Sequence, residues 1–211
     1  MRSYGAGSGS GSSGLSVDES LRCKALEGID GLVRRLVRCL DDSGLDYAFT
    51  GALAVSFYGS PRTTSDVDVM IAVGCGGGDK LKVVNALRCV DLEVDVSKID
   101  DALTSGYNIA SFEDRVSPYS VDVIFSPDRL DKRSGNVAGL DTFLQTPEGL
   151  ILAKLRMIKA TLMRERVARD EEDVKAILAF TKVNLEAVKR RAKRDNTSDI
   201  LEYLLQSTTH P

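Results

Sequence analysis

The chain has 211 residues, 43% of them hydrophobic and 28% charged, and its 28 basic and 31 acidic side chains give a formal net charge of −3. This composition fits a globular protein and excludes collagen-like, coiled-coil and wholly disordered chains. It also lacks the strongly basic balance of a dedicated nucleic-acid binder. The apolar run at 69–73 is far shorter than the roughly 20 residues that span a bilayer, so no membrane association is expected.

The N-terminus is rich in small residues. Met1 to Gly14 holds ten Gly or Ser in fourteen positions and has no signal-peptide core, which predicts a disordered leader over 1–16 and a cytoplasmic chain. The only histidine is His210, so histidine-dependent catalysis and zinc binding are disfavoured. The cysteines are too widely spaced for a CxxC metal site and are predicted to be free thiols. They are Cys23, Cys39, Cys75 and Cys89.

The first two thirds of the sequence predict an α/β domain over 17–145. Apolar residues spaced three and four apart indicate an amphipathic helix over Glu19–Leu40. A strand from Tyr47, a helix over Ala52–Tyr58 and a strand over Val67–Val73 follow within thirty residues, an order typical of α/β folds. The later predicted elements are a helix over Lys80–Cys89 and strands over Ile109–Asp114 and Val121–Phe125.

A helical lobe is predicted over 146–211. Thr146 is a preferred N-cap and Pro147 a preferred first helical residue, so we place a domain boundary there. Between Ile151 and Asp195 there are 13 basic and 7 acidic residues, a local excess that favours a phosphate-bearing ligand. The four predicted helices are Leu150–Met163, Asp170–Phe180, Leu185–Arg194 and Asp199–Leu205.

Three acidic residues are the strongest sign of chemistry. Asp66 and Asp68 alternate with valines, so on a strand both carboxylates share one face about 6.5–7 Å apart along the chain. A divalent cation such as Mg²⁺ would relieve their repulsion. Asp122 interrupts another apolar strand, and if the two strands pair, three carboxylates converge as in metal-assisted phosphoryl transfer. The alternative is that these residues only end strands at a solvated edge.

Three segments around these acids resemble a known family. Gly51-Ala52, Arg62-Thr63-Thr64 and Asp66-Val67-Asp68 are similar to the signature of the nucleotidyltransferase superfamily with the DNA polymerase β-like palm, particularly AbiEii-type toxins and minimal nucleotidyltransferases. The resemblance implies a small mixed-sheet palm flanked by helices, with a C-terminal helical lobe. It also implies a glycine-led turn at Gly51 and Ala52 that holds the triphosphate, with Thr64 in the nucleotide site.

By the same resemblance, Asp66, Asp68 and Asp122 are catalytic. Asp66 and Asp68 ligate two Mg²⁺ ions, with Mn²⁺ as the alternative metal, and Asp122 either ligates metal or acts as the base. The segment from Thr146 to Lys154 is similar to one that supplies a phosphate-binding lysine, which implicates Lys154 and, less directly, Arg169 and Asp173. Lys154 is equally well read as a solvated helix residue. Arg62 either clamps a phosphate or ribose, or neutralises the carboxylates.

The expected activity is Mg²⁺-dependent transfer of a nucleoside monophosphate from an NTP to a hydroxyl of tRNA, another RNA, a protein or a small molecule. By resemblance, a toxin–antitoxin role with a partner protein is also expected. The basic run at 189–194 either contacts RNA phosphates or is a solvated helix end. Two alternative functions remain. One is an inactive nucleotide-binding or protein-interaction module, which Ala52 favours, and the other is a metal-dependent phosphohydrolase.

Overall fold

The computed structural model describes residues 28–59, 61–74 and 78–208. These residues form eight helices and six strands. The helices are α1 (Ile29–Ser43), α2 (Gly51–Tyr58), α3 (Gly78–Cys89), α4 (Val96–Thr104), α5 (Pro147–Ala160), α6 (Arg164–Phe180), α7 (Leu185–Arg194) and α8 (Ser198–Thr208). The strands are β1 (Tyr47–Phe49), β2 (Asp66–Ala72), β3 (Ile109–Glu113), β4 (Ser120–Ser126), β5 (Lys132–Val137) and β6 (Leu140–Gln145).

The strands form one mixed sheet in the order β3-β4-β2-β1-β6-β5. β2 and β4 are parallel over seven residue pairs, whereas β1 runs antiparallel to β2 and parallel to β6. The predicted α/β class, with a small mixed sheet flanked by helices, is therefore confirmed. The predicted leader at 1–16 and the first residues of the Glu19–Leu40 helix lie outside the described residues, as do Cys23, Cys75 and His210.

Strands β2 and β4 each have one buried and one half-buried face. In β2, Val67, Val69 and Ile71 are completely buried, and the same alternation of exposure runs along β4. These valines and isoleucines form one hydrophobic core with the apolar stripe of α1, which Gly44 ends in the left-handed conformation at φ 66°. The opposite, half-buried face is the one that carries the acidic residues.

Three elements, the strands β5 and β6 and the helix α4, were missed by the sequence interpretation. The hairpin β5–β6 has a polar, exposed outer strand, and its two-residue turn is Ala138-Gly139, both with positive φ, instead of the Asn-Gly pair that marks such turns. Asp95 caps helix α4, because its carboxylate accepts from the Ser97 N–H (2.9 Å). The bounds of the first two predicted helices after residue 146 also change, because α5 ends at Ala160 and α6 already begins at Arg164.

The prediction of free thiols is wrong for two cysteines. Cys39 in α1 and Cys89 in α3 form a disulfide, with their Cα atoms 5.9 Å apart. The two residues are 50 positions apart in sequence and meet because α1 packs against α3. Sequence spacing alone therefore gave no sign of the pair.

The C-terminal helices pack directly on the sheet domain. Thr146 caps α5 by accepting from the Gly149 N–H, as the sequence predicts, and Pro147 is the first helical residue. α5 and α6 pack against each other and against α2. Leu150 and Ile151 belong to the same hydrophobic core as Val55 of α2, and the division at residue 146 stays a prediction. Among the described residues, no helix is long and apolar enough to cross a membrane.

Candidate active site

Strand pairing brings the three predicted carboxylates to one face of the sheet. Asp68 of β2 lies directly opposite Asp122 of β4 in the parallel ladder, and Asp66 is two residues before Asp68 on the same face. Both flanking acids are oriented by hydroxyl donors. Thr64 Oγ1 donates to Asp66 Oδ1 (2.5 Å), and Ser111 Oγ of β3 donates to Asp122 Oδ1 (2.6 Å).

The carboxylate of Asp68 lies against the turn that joins β1 to α2. A Cβ atom added at Gly51 would lie 1.8 Å from Asp68 Oδ2, and Gly51 has φ 55°, so only glycine fits at this position. The Asp68 carboxylate also accepts from the backbone N–H of Ala52. The side chain of Ala52 is buried, so residue 52 contributes to the site through its backbone. The Gly51 turn therefore packs directly against the Asp68 side chain of β2.

The electrostatics of Asp68 differ from those of an ordinary aspartate. Burial raises the pKa of Asp68 to about 6, and the carboxylates of Asp66 and Asp122 act in the same direction. The ammonium group of Lys154 and the Ala52 N–H partly oppose this rise in pKa. Asp68 is therefore a carboxylate that is costly to ionise unless a cation is supplied.

The donor set suits a hard divalent cation. All three candidate ligands are carboxylates on one face of adjacent strands, and the repulsion felt by Asp68 is what a cation would relieve. Within residues 28–59, 61–74 and 78–208, no three His, Cys, Asp or Glu side chains form a ready-made metal cluster. In proteins, Mg²⁺ is commonly bound by one or two carboxylates together with substrate phosphates.

A second cluster of charges lies where α5 meets α6. Lys154 Nζ of α5 forms ion pairs with Asp170 Oδ1 (2.7 Å) and Asp173 Oδ2 (2.8 Å) of α6, and all three side chains are largely buried. Arg62 Nη2 lies 3.5 Å from the same oxygen of Asp173. Arg62 Nε is buried without a hydrogen-bond partner, as is Asp170 Oδ2. We call these four residues the lysine cluster.

The fold has known counterparts. No protein-family model and no curated protein matches the sequence. Two solved structures of the antibiotic-resistance factor ANT(2'')-Ia are similar, one of them a complex with adenylyl-2''-tobramycin, at 12% and 10% identity and TM-scores of 0.54 and 0.57. The matches cover 83% and 80% of this chain and 96% and 97% of those chains. This chain has a nucleotidyltransferase fold. A nucleotidyltransferase-like protein from Paracoccidioides brasiliensis also matches, at 15% identity and a TM-score of 0.48, over 88% of this chain and 99% of that one.

In this nucleotidyltransferase fold the predicted residues fall into two groups. Gly51, Ala52, Asp66 and Asp68 meet at the junction of the β1–α2 turn and β2, with Asp122 beside them. Arg62 and Lys154 form the second group: Lys154 pairs with Asp170 and Asp173, and Arg62 pairs with Asp173. Of the two weaker candidates, Asp173 is a member of the lysine cluster, whereas Arg169 is exposed on α6.

The structure also brings in residues that the sequence interpretation missed. Ser111 reaches Asp122 because β3 pairs antiparallel with β4, and a single sequence does not reveal that pairing. Gln145 at the end of β6 accepts a hydrogen bond from the Thr50 hydroxyl (2.5 Å) immediately before the Gly51 turn. The strand that carries Gln145 was itself not predicted, so no signal pointed to this contact.

Proposed function

We propose that this chain is a Mg²⁺-dependent nucleotidyltransferase that moves a nucleoside monophosphate from an NTP to a hydroxyl group and releases pyrophosphate. The observation that carries the proposal is the register of β2 and β4, which sets Asp68 opposite Asp122 and beside the Gly51 turn. The likeness to ANT(2'')-Ia supports the fold on which this chemistry would take place.

Asp66 and Asp68 are the residues that would hold the metal, with Asp122 completing the set. When bound, Mg²⁺ supplies charge neutralisation of the phosphates and lowers the pKa of a hydroxyl that it contacts. Thr64 and Ser111 keep Asp66 and Asp122 in place through their hydrogen bonds. Fixed ligands avoid the reorganisation that would otherwise accompany charge development in the transition state.

The transfer step exchanges one phosphorus–oxygen bond for another. The acceptor oxygen bonds to the α-phosphorus while the bond to the β-phosphate bridging oxygen breaks and pyrophosphate leaves. Asp122 accepts the proton of the acceptor hydroxyl. The first-turn N–H groups of α2 face the triphosphate, since a helix N-terminus favours an anion. Arg62 and Lys154 are the candidate phosphate-binding side chains, but Asp170 and Asp173 balance their charges within the lysine cluster, so most of the charge that compensates the triphosphate would come from Mg²⁺.

The acceptor is the part of the reaction that the site defines least. ANT(2'')-Ia, a protein of similar fold, is known in complex with adenylyl-2''-tobramycin, so a small molecule is one candidate class of acceptor. RNA and protein hydroxyls are the other acceptors that the sequence predicts, and a toxin role stays a prediction from the resemblance. The first experiment must therefore offer all three classes of acceptor together.

The test is incubation of the purified chain with each α-³²P-labelled NTP, Mg²⁺, total tRNA, cell protein and an aminoglycoside. Asp66→Asn/Asp68→Asn is the inactive variant, and Glu202→Gln, an exposed residue of α8, is the matched control. We expect label on one acceptor class with the unmodified chain and the control only. NTP binding by calorimetry without transfer would instead indicate an inactive nucleotide-binding module. The absence of both NTP binding and transfer would refute the nucleotide site.

A further inference from the structure

A cavity of about 320 Å³ opens between strand β3 and helix α4. Because β3 is the first strand in the sheet order, this cavity lies at the edge of the sheet. Its volume is near the lower end of the range of about 300–1,000 Å³ that is usual for small-molecule sites. The polar residues that line it come from both elements and from the segment between them. They are Lys98, Asp101, Ser105, Tyr107 and Ser111.

Ser111 connects this cavity to the face that carries the three carboxylates. It lines the cavity, and its hydroxyl donates to Asp122 Oδ1 (2.6 Å). In the register of the sheet, Ser111 lies opposite Asp122, which in turn lies opposite Asp68. Neighbouring strands are about 4.8 Å apart, so Ser111 is two strand spacings, roughly 10 Å, from Asp68. The cavity therefore borders the candidate site.

The strand order places the cavity on one side of the proposed reaction. The Gly51 turn, which would receive the triphosphate, follows β1 and lies against Asp68, whereas Asp122 and Ser111 lie on the opposite side of β2. In phosphoryl transfer the attacking and leaving oxygens are roughly in line, so the acceptor enters from the side opposite the pyrophosphate. A molecule whose hydroxyl lies beside Asp122 would thus extend over Ser111 towards the cavity.

The lining favours a small molecule with several hydroxyl groups. The hydroxyls of Ser105 and Tyr107 can donate and accept hydrogen bonds, and the Asp101 carboxylate can accept them. The ring of Tyr107, which is 70% exposed, offers an apolar face. Among the described residues that line the cavity, Lys98 is the only basic one, and its ammonium group donates to the Ser111 carbonyl (3.2 Å). An anionic ligand would therefore meet a carboxylate and a cation that is already engaged.

The basic run at 189–194 lies far from this cavity in the fold. Its Arg191 is 3.4 Å from Asp131, which directly precedes β5 at the opposite edge of the sheet. RNA is bound largely through cations that follow its phosphates. The position of the basic run therefore does not favour RNA as the acceptor on the β3 side.

We propose that the cavity between β3 and α4 is the acceptor site, and that it takes a small polyhydroxylated, sugar-like molecule whose reactive hydroxyl lies beside Asp122. This inference rests on the proposed function, in which Asp122 accepts the proton of that hydroxyl. Ser105 and Tyr107 contact the acceptor and set its affinity, and they take no part in nucleotide binding.

The first test is an NMR titration of the chain with maltose, a neutral sugar, and with an aminoglycoside, a cationic one. At least one of them should shift the backbone amides of Tyr107 and Ser111. Tyr107→Ala, which removes the ring, should weaken that binding about five-fold. Ser105→Phe, which fills the cavity, should weaken it further. Tyr203→Ala removes an exposed tyrosine of α8 and should leave the affinity unchanged.

Two results of this titration would overturn the proposal. One is the absence of shifts at the Tyr107 and Ser111 amides with both sugars. The other is an affinity that neither Tyr107→Ala nor Ser105→Phe changes. Thermal unfolding of every variant checks that each is folded at the titration temperature.

A second measurement separates this proposal from the proposed function. In the labelling assay with the bound sugar as acceptor, Tyr107→Ala should raise the KM for the sugar about five-fold and leave the NTP affinity, measured by calorimetry, unchanged. Label that appears only on tRNA or protein would overturn the acceptor assignment and leave the proposed function intact. If the unmodified chain binds no NTP, the proposed function fails, whereas the NMR titration still decides whether the cavity binds a sugar.

Discussion

Replacing Asp68 by asparagine should stabilise the protein at neutral pH while it abolishes nucleotidyl transfer. Because burial and two neighbouring carboxylates raise the pKa of Asp68 from 3.8 to about 6, the folded protein prefers this side chain neutral. Above pH 6 the folded state therefore carries a penalty that the unfolded state lacks, and the penalty shrinks as the pH falls towards 3.8. Asparagine is neutral at every pH and can still accept from the Ala52 N–H.

The magnitude follows from the pKa difference. At about pH 7.5 the penalty is at most about 3 kcal/mol, and at about pH 5 it falls to about 1.5 kcal/mol. Urea unfolding of Asp68→Asn and the unmodified chain in EDTA should show the variant's stability advantage decreasing between these pH values. Glu202→Gln, on the exposed face of α8, serves as the charge-removal control. A variant that is less stable than the unmodified chain at neutral pH would refute this account of Asp68.

Three further changes test other contacts of the structure. Replacing Cys39 and Cys89 by serine opens a loop of 50 residues and should lower the free energy of unfolding by about 4 kcal/mol in the chain-entropy treatment, measured by urea titration without reductant. Gly51→Ala should abolish transfer in the labelling assay, because its Cβ overlaps the Asp68 carboxylate and its φ alone costs about 1–2 kcal/mol. Lys154→Met leaves buried Asp170 without its cation and Asp173 with Arg62 alone, and should destabilise the fold by about 3–5 kcal/mol in the same urea titration, whereas a solvated lysine would give almost no change.

Elements with a strong local signal were predictable from the sequence. The alternation of Asp66 to Ala72 gave β2, the Thr146-Pro147 pair gave the start of α5, and the apolar stripe gave α1. The prediction that Asp66, Asp68 and Asp122 share a face depended on β2 pairing with β4, which the structure has. Their roles as metal ligands stay predictions.

Features that depend on long-range pairing were not predictable. The outer strand of the β5–β6 hairpin is polar and exposed, so it lacks the alternation that marks a half-buried strand. Without that hairpin, nothing placed Gln145 beside Thr50. The partners of Lys154 were missed for a different reason, since α6 begins six residues before the predicted start at Asp170, and Asp170 was read as a helix N-terminal residue.

The charge of the whole site indicates how the nucleotide binds. In the lysine cluster the two basic side chains are balanced by Asp170 and Asp173, so the negative charge of the three sheet carboxylates is left uncompensated. A triphosphate brought to that face alone would be repelled, however well the α2 amides are placed. Nucleotide affinity should therefore depend strongly on Mg²⁺, with at least ten-fold weaker binding in EDTA, a loss of about 1.4 kcal/mol. Calorimetric titration with ATP in the two conditions measures this directly. Equal affinities would mean that the triphosphate binds away from the carboxylates, and would contradict the proposed site.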